Sequence, residues 1–141
     1  MKKLLKLFFQ TGSWTLAAVL IMHAVVRFTG YREQLDWLMH YSGGLAIAVF
    51  MYCTIALSKK WLGDLSKMGH LLFAFCAGCA VALFWDIGEF ASDQILGTHV
   101  QDSLHETMMD LVYGALGVCT VIAIQGCRLL LSTPTAPSRR G

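Results

Sequence analysis

The sequence predicts an all-α protein, an integral membrane bundle of four transmembrane helices with both termini cytoplasmic. Three observations predict it. Of 141 residues, 56% are hydrophobic and only 14% are charged, against about 25% charged in an ordinary soluble domain. The charges leave four uncharged runs, residues 7–26, 37–58, 68–85 and 111–127, each near the ~20 residues an α-helix needs to cross a hydrocarbon core. Finally, nine of the eleven Lys and Arg fall on one side of a four-span arrangement, the asymmetry that orients membrane helices.

The same figures exclude other classes. A mean hydropathy of +0.58 is incompatible with a disordered chain, which needs low hydrophobicity and high charge. A net charge of +2 offers no electrostatic footprint for nucleic acid. A soluble helical bundle needs a polar stripe at helical period, and residues 50–57 and 71–85 have none.

Residues 1–131 read as a single membrane domain with spans at about 7–28, 36–58, 68–92 and 106–128. The first follows Lys2 and Lys3 and imitates a signal peptide. No small-x-small site closes it before Arg27, so it is expected to be retained. Lys59, Lys60 and Lys67 mark the loop between spans two and three as cytoplasmic, and Arg128 does the same for the end of span four. Only Arg27 and Arg32 lie on the other side. The expected location is the bacterial inner membrane, multi-pass and N-in/C-in. Residues 132–141, with Pro134 and Pro137, read as a disordered cytoplasmic tail. The lipid bilayer is the expected partner, joined by another membrane protein or by further copies of the chain.

The acidic residues point to a site. Eight of nine lie at the outer ends of spans two to four, and only Asp64 is on the cytoplasmic side. Asp36 and His40 are four apart and share a helix face. Asp86, Glu89 and Asp93, at i, i+3 and i+7, share another. Glu106 and Asp110 form a third stripe, and His23, His99 and His105 fall in the same layer. A charge within a span costs roughly 2.5–3.5 kcal/mol on insertion scales, so these stripes should turn inward and meet. Carboxylates and imidazoles on facing helices are how bundle metal sites are built. His40, Asp86, Glu89, Asp110 and Asp36 are the candidate ligands for a divalent metal. Oxygen-rich ligation suits Mg, Mn or Fe, and the added imidazole suits Zn. Glu106 and His105 are the candidate bases toward a bound water.

Each residue also has a plainer role. Asp36 could cap helix two, and Ser103 with Glu106 forms a capping-box pattern. Gly43, Gly44, Gly78, Gly114 and Gly117 read as close-packing positions. Cys53, Cys76, Cys79, Cys119 and Cys127 all fall in or near apolar runs and read as small buried thiols. Asp86 and Glu89 resist such explanations, because they stand in an apolar frame near a helix C-terminus, where the dipole disfavours negative charge.

The segment from Asp36 through His40 to Gly43 and Gly44 resembles the D-xxx-H-xx-GG pattern of the YjdF-like family of uncharacterised bacterial integral membrane proteins. Phe84, Trp85, Asp86 and Glu89, then Asp110, Gly114 and Gly117, resemble its later motifs. The order is also distantly similar to VanZ-like proteins. The resemblance covers roughly residues 36–118 and implies a compact helical membrane protein without a settled activity. Two function classes follow. One is an outward-facing polar site, holding a metal, that acts on a lipid-linked or small polar substrate. The other is a non-catalytic accessory subunit of a membrane complex, in which the same residues form a helix-packing network.

Overall fold

The structure, a computed structural model, describes residues 1–98, 100, 101 and 103–132. His99, Asp102 and nearly all of the expected tail lie outside the described residues. Among the described residues there are six helices: α1 (Lys2–Gln10), α2 (Ser13–Thr29), α3 (Arg32–Leu57), α4 (Lys59–Leu62), α5 (Lys67–Leu96) and α6 (Leu104–Leu131). No strand occurs among the described residues.

By length and composition, α3, α5 and α6 can each cross a membrane, and the bent pair α1–α2 brings the number to four if it counts as one span. The first uncharged run is therefore not one straight helix. It bends by 82° between α1 and α2, and the cause is local. The Thr11 hydroxyl donates to the Leu7 carbonyl at 2.9 Å, a bond that competes with helix continuation. Gly12 then takes a positive φ of 72°, which costs a glycine nothing. A side chain there would also crowd α3, since a Cβ would lie 3.2 Å from Val49 Cγ1. The α1 segment that is split off is amphipathic. Lys2, Lys3, Lys6 and Gln10 fall on one arc, and Leu4, Leu5, Phe8 and Phe9 on the other. Such a helix is suited to lie in the membrane interface.

The other helix starts follow from their caps. Ser66 opens α5 by accepting from the Gly69 amide at 3.0 Å. Ser103 opens α6 by accepting from the Glu106 amide at 3.2 Å, as the capping-box pattern anticipates. Asp36 does not cap α3, because that helix begins at Arg32 and Asp36 stands in its second turn. Outside the spans, Lys59 Nζ donates to Asp64 Oδ1 at 2.8 Å. This bond holds the Asp64 carboxyl below, and the Lys59 ammonium above, its ordinary range.

Helix α3 is the centre of the bundle, with α2, α5 and α6 packed around it and α6 closest. Glycines make that last contact possible. A Cβ on Gly44 would strike the Gly114 carbonyl oxygen, and one on Gly117 would strike the Tyr41 carbonyl oxygen. The two backbones therefore touch, as small residues permit in membranes. Below this seam Ala48, Val118 and Val121 form the buried core, and Gly78 of α5 rests on Val118, 3.1 Å from a built Cβ.

The remaining surface is apolar. Only 28, 22 and 28% of the apolar windows of α3, α5 and α6 are buried inside the bundle. A soluble bundle would bury its apolar stripe, so these outward faces are suited to hydrocarbon. This also corrects the reading of the cysteines as buried. All five are free, with Cys76, Cys119 and Cys127 exposed and Cys53 and Cys79 half-buried. A thiol behaves as a small hydrophobe and needs no protein cover where its neighbour is lipid.

Candidate functional site

His40 is the hub of the polar cluster. Its Nε2 lies 3.8 Å from Asp36 Oδ2 and 3.6 Å from Asp110 Oδ1, and its Nδ1 lies 3.5 Å from Asp86 Oδ1. The side chains of His40, Asp86 and Asp110 are 8, 5 and 10% exposed. The glycine seam sets this geometry. Gly44 is one turn beyond His40 on α3, and Gly114 is one turn beyond Asp110 on α6. Backbone contact between the two glycines leaves the two functional side chains facing each other at the next level.

Two sets of potential ligand atoms result, each lying within 4.8 Å of one another: Asp36, His40 and Asp110, and His40, Asp86 and Glu89. The stripes expected to meet do so, through all five residues. Their situations differ, however. Glu89 Oε1 accepts from Trp85 Nε1 at 2.9 Å, so it already has a partner on its own helix. Asp86 Oδ1 is buried with no hydrogen-bond partner, the 3.5 Å approach to His40 being too loose to count as one. An unpaired carboxylate oxygen cut off from water is costly, and the vacant acceptor faces the imidazole.

The third acid of the α5 stripe has a different task. Asp93 Oδ1 accepts from Thr98 Oγ1 at 2.6 Å and from the Val100 amide at 2.8 Å, and Oδ2 accepts from the Gln101 amide at 2.9 Å. Gln101 Nε2 in turn donates to the Asp86 carbonyl at 3.0 Å. Asp93 thus ties the α5–α6 connection down beside the cluster. Glu106 and His105, the candidate bases, are exposed on the first turn of α6. Neither belongs to the two ligand sets.

Three cavities reach the cluster: one of about 570 Å³ between α5 and α6 touches it only at Asp86, and two open on His40. Of these two, one of about 250 Å³ runs toward the middle of the bundle between α2, α3 and α5. Its lining includes Leu16, Leu20, Gly43, Ile47, Val81 and Trp85 and ends on His40, Asp86 and Asp110. The other, of about 190 Å³, opens toward the helix ends and is lined by Arg27, Arg32, Asp36, Glu89 and Val100. They share His23, Met39 and His40. Arg32 is steadied there by donating to the Val100 carbonyl.

In the charge pattern of the sequence, Arg27 and Arg32 point only to orientation. A signal for Arg32 is present in the spacing, since Arg32, Asp36 and His40 at i, i+4 and i+8 share one face of α3. Arg27 carries no such signal, because it lines the cavity beside the cluster from another helix.

The family described as "Predicted membrane protein (DUF2238)" matches residues 5–130. A protein of Thermotoga maritima, named only "Uncharacterized protein", is 29% identical over 114 aligned residues, and the match covers 77% of this chain. The match covers 58% of the relative, so the chain spans little more than half its length. No solved structure matches. The expected membership of an uncharacterised membrane family holds, while the VanZ likeness remains a resemblance. With the match running from α1 almost to the end of α6, the chain belongs to the DUF2238 family of membrane proteins.

Proposed function

We propose that the His40 cluster is a divalent metal site on the outer side of a bacterial inner membrane, acting on a lipid-linked or small polar substrate. The observation that carries this reading is the buried, unpartnered Asp86 Oδ1 beside His40 Nδ1. A carboxylate behind one ring nitrogen, with two more at the other, is the carboxylate–histidine–metal arrangement. With an ion bound, the Asp86 carboxylate would close on Nδ1–H, and the Nε2 lone pair would then be directed toward Asp36 and Asp110. Those three groups are the proposed ligands. Glu89 is the alternative ligand, reached if it releases Trp85. The donor chemistry suits Mg, Mn, Fe or Zn, and such an ion when bound would supply a Lewis acid and a water of lowered pKa. Glu106, one turn outward of Asp110 on α6, and His105 are the bases offered to that water.

The alternative is a helix-packing network in a non-catalytic subunit, alone or with other membrane proteins. One observation weighs against it. The register of α3 on α6 is already imposed by Gly44, Gly114 and Gly117, so the charges are not needed for that purpose.

The test is elemental analysis of protein purified in detergent without chelator. We expect about one equivalent of a transition metal or of Mg in the wild type, and none in His40→Ala. A metal-free wild type that also takes up no Mg, Mn, Fe or Zn on dialysis rejects the site and leaves the packing network. Orientation is tested separately. Reporter fusions after Lys60 and after Gly97 are expected to report opposite compartments, with Lys60 cytoplasmic. The same compartment for both would refute the proposed topology.

A further inference from the structure

We infer that the substrate is a single-chain amphiphile with an anionic oxygen head, bound with its hydrocarbon chain in the apolar cavity and its head between Arg27 and Arg32. The inference deepens the site proposed above and rests on that reading for its chemistry, but it stands on different residues.

Gly43 is the first observation. A glycine inside a helix costs about 1 kcal/mol relative to alanine and is ordinarily retained for close packing. Its neighbour Gly44 meets that need, whereas a Cβ on Gly43 would touch nothing within 4 Å. Gly43 faces the apolar cavity, and its missing side chain leaves that cavity wide. The space of about 250 Å³ exceeds the ~150 Å³ apolar void that accommodates benzene.

Access is the second. Helix α2 packs along α3 and forms no comparable seam with α5 or α6. The ring contact between His23 and Trp85, at 5.9 Å, bridges α2 and α5 at the end near the cluster. Elsewhere α2 makes little contact with α5, and Leu20 and the flank of Trp85 are about half exposed. A chain can enter there sideways from the bilayer without passing through water.

Charge is the third. Arg27 and Arg32 are the two basic residues of the outer side, and both line the cavity of about 190 Å³. Guanidinium groups match phosphate and carboxylate oxygens in charge and geometry. Because the two cavities share His23, Met39 and His40, a molecule filling both lays the junction of head and chain against His40.

The experiment is photolabelling of the full chain in phosphatidylcholine nanodiscs. The probes are hexadecyl phosphate, palmitate and hexadecanol, each with a mid-chain diazirine, and labelled peptides are mapped by mass spectrometry. We expect both anionic probes, or one of them, to label α2 and α5 peptides that line the cavity, in competition with unlabelled probe. The phosphate and palmitate arms distinguish the two head chemistries. Gly43→Leu should reduce this labelling roughly tenfold, as filling a cavity costs more than a kcal/mol. Gly43→Ala, which adds one methyl in open space, should give a smaller loss in an intact fold. Arg27→Gln with Arg32→Gln should bring the anionic probes down to the level of hexadecanol. Labelling spread evenly over all lipid-facing peptides and unaltered in Gly43→Leu would overturn the chain site. Equal labelling by hexadecanol in the wild type would overturn the anionic head. Metal content is measured on the same samples. Loss of labelling with metal retained assigns a failure to this inference, and labelling without metal assigns it to the site reading.

Discussion

Gly44→Ala is expected to destabilise the detergent-solubilised protein by about 3 kcal/mol, the upper part of the usual cost of overpacking. The added Cβ would collide with the Gly114 carbonyl oxygen, which is backbone and cannot rotate aside, so α3 and α6 must separate. Gly117→Ala meets the same obstacle at the Tyr41 carbonyl and should behave alike. Gly43→Ala, one residue away, should have the opposite sign. Its Cβ meets nothing, and replacing a helical glycine gains up to about 1 kcal/mol. Unfolding followed by circular dichroism, with all three variants in one detergent, measures the difference. If Gly43→Ala and Gly44→Ala lose stability equally, the α3–α6 seam does not lie where the structure has it. Separation of the helices should also reach the cluster. Gly44 and Gly114 stand one turn from His40 and Asp110, so Gly44→Ala is expected to weaken metal binding without touching a ligand.

The second large effect concerns the metal. An ion at 100 times its dissociation constant stabilises the state that binds it by about 2.7 kcal/mol, a rise in melting temperature of roughly 10 °C for a chain of this size. The wild type should show such a rise with the cognate ion among Mg, Mn, Fe and Zn, and EDTA should reverse it. Asp110→Asn removes a ligand charge and should abolish the shift. Asp86→Asn keeps the shape but loses the negative charge behind His40, and should weaken affinity by about 10–100-fold, as outer-shell changes do. Glu89→Gln separates the two ligand sets. With Asp36, His40 and Asp110 as ligands, it leaves the metal-dependent shift in place, since Glu89 is engaged with Trp85. If Glu89→Gln abolishes the shift and Asp110→Asn does not, the ion belongs with His40, Asp86 and Glu89. No shift with any of the four ions would remove the metal and leave a packing network.

Much of the architecture was legible in the residues alone. Uncharged runs of near-bilayer length identify the helices because lipid cannot hydrogen-bond a bare backbone. That constraint acts on each segment separately and so can be read without a fold. The inward meeting of Asp36, His40, Asp86, Glu89 and Asp110 was legible for a related reason. Helical period assigns them to stripes, and the cost of charge in hydrocarbon turns the stripes together. Ser103 as the cap of α6 was equally local. The bend at Gly12 was not legible, since a glycine between Thr11 and Ser13 can sit in a continuous helix or break one, and the choice depends on its packing against Val49.

Tertiary structure decided what depends on two helices at once. Gly43 and Gly44 are identical in sequence terms, and only the position of Gly114 makes one a contact and the other a gap. Asp93 lies on the same stripe as Asp86 and Glu89, yet its bonds to Thr98, Val100 and Gln101 draw it to the connection and away from His40. Arg27 and Arg32 count equally toward orientation, and only the lean of α2 on α3 puts both on one cavity. Sequence by itself determined which side chains cannot face lipid, because that penalty belongs to each residue and its depth. It did not determine which of them touch, because contact is set by where two backbones approach, and here that approach is governed by glycines that carry no side chain to announce it.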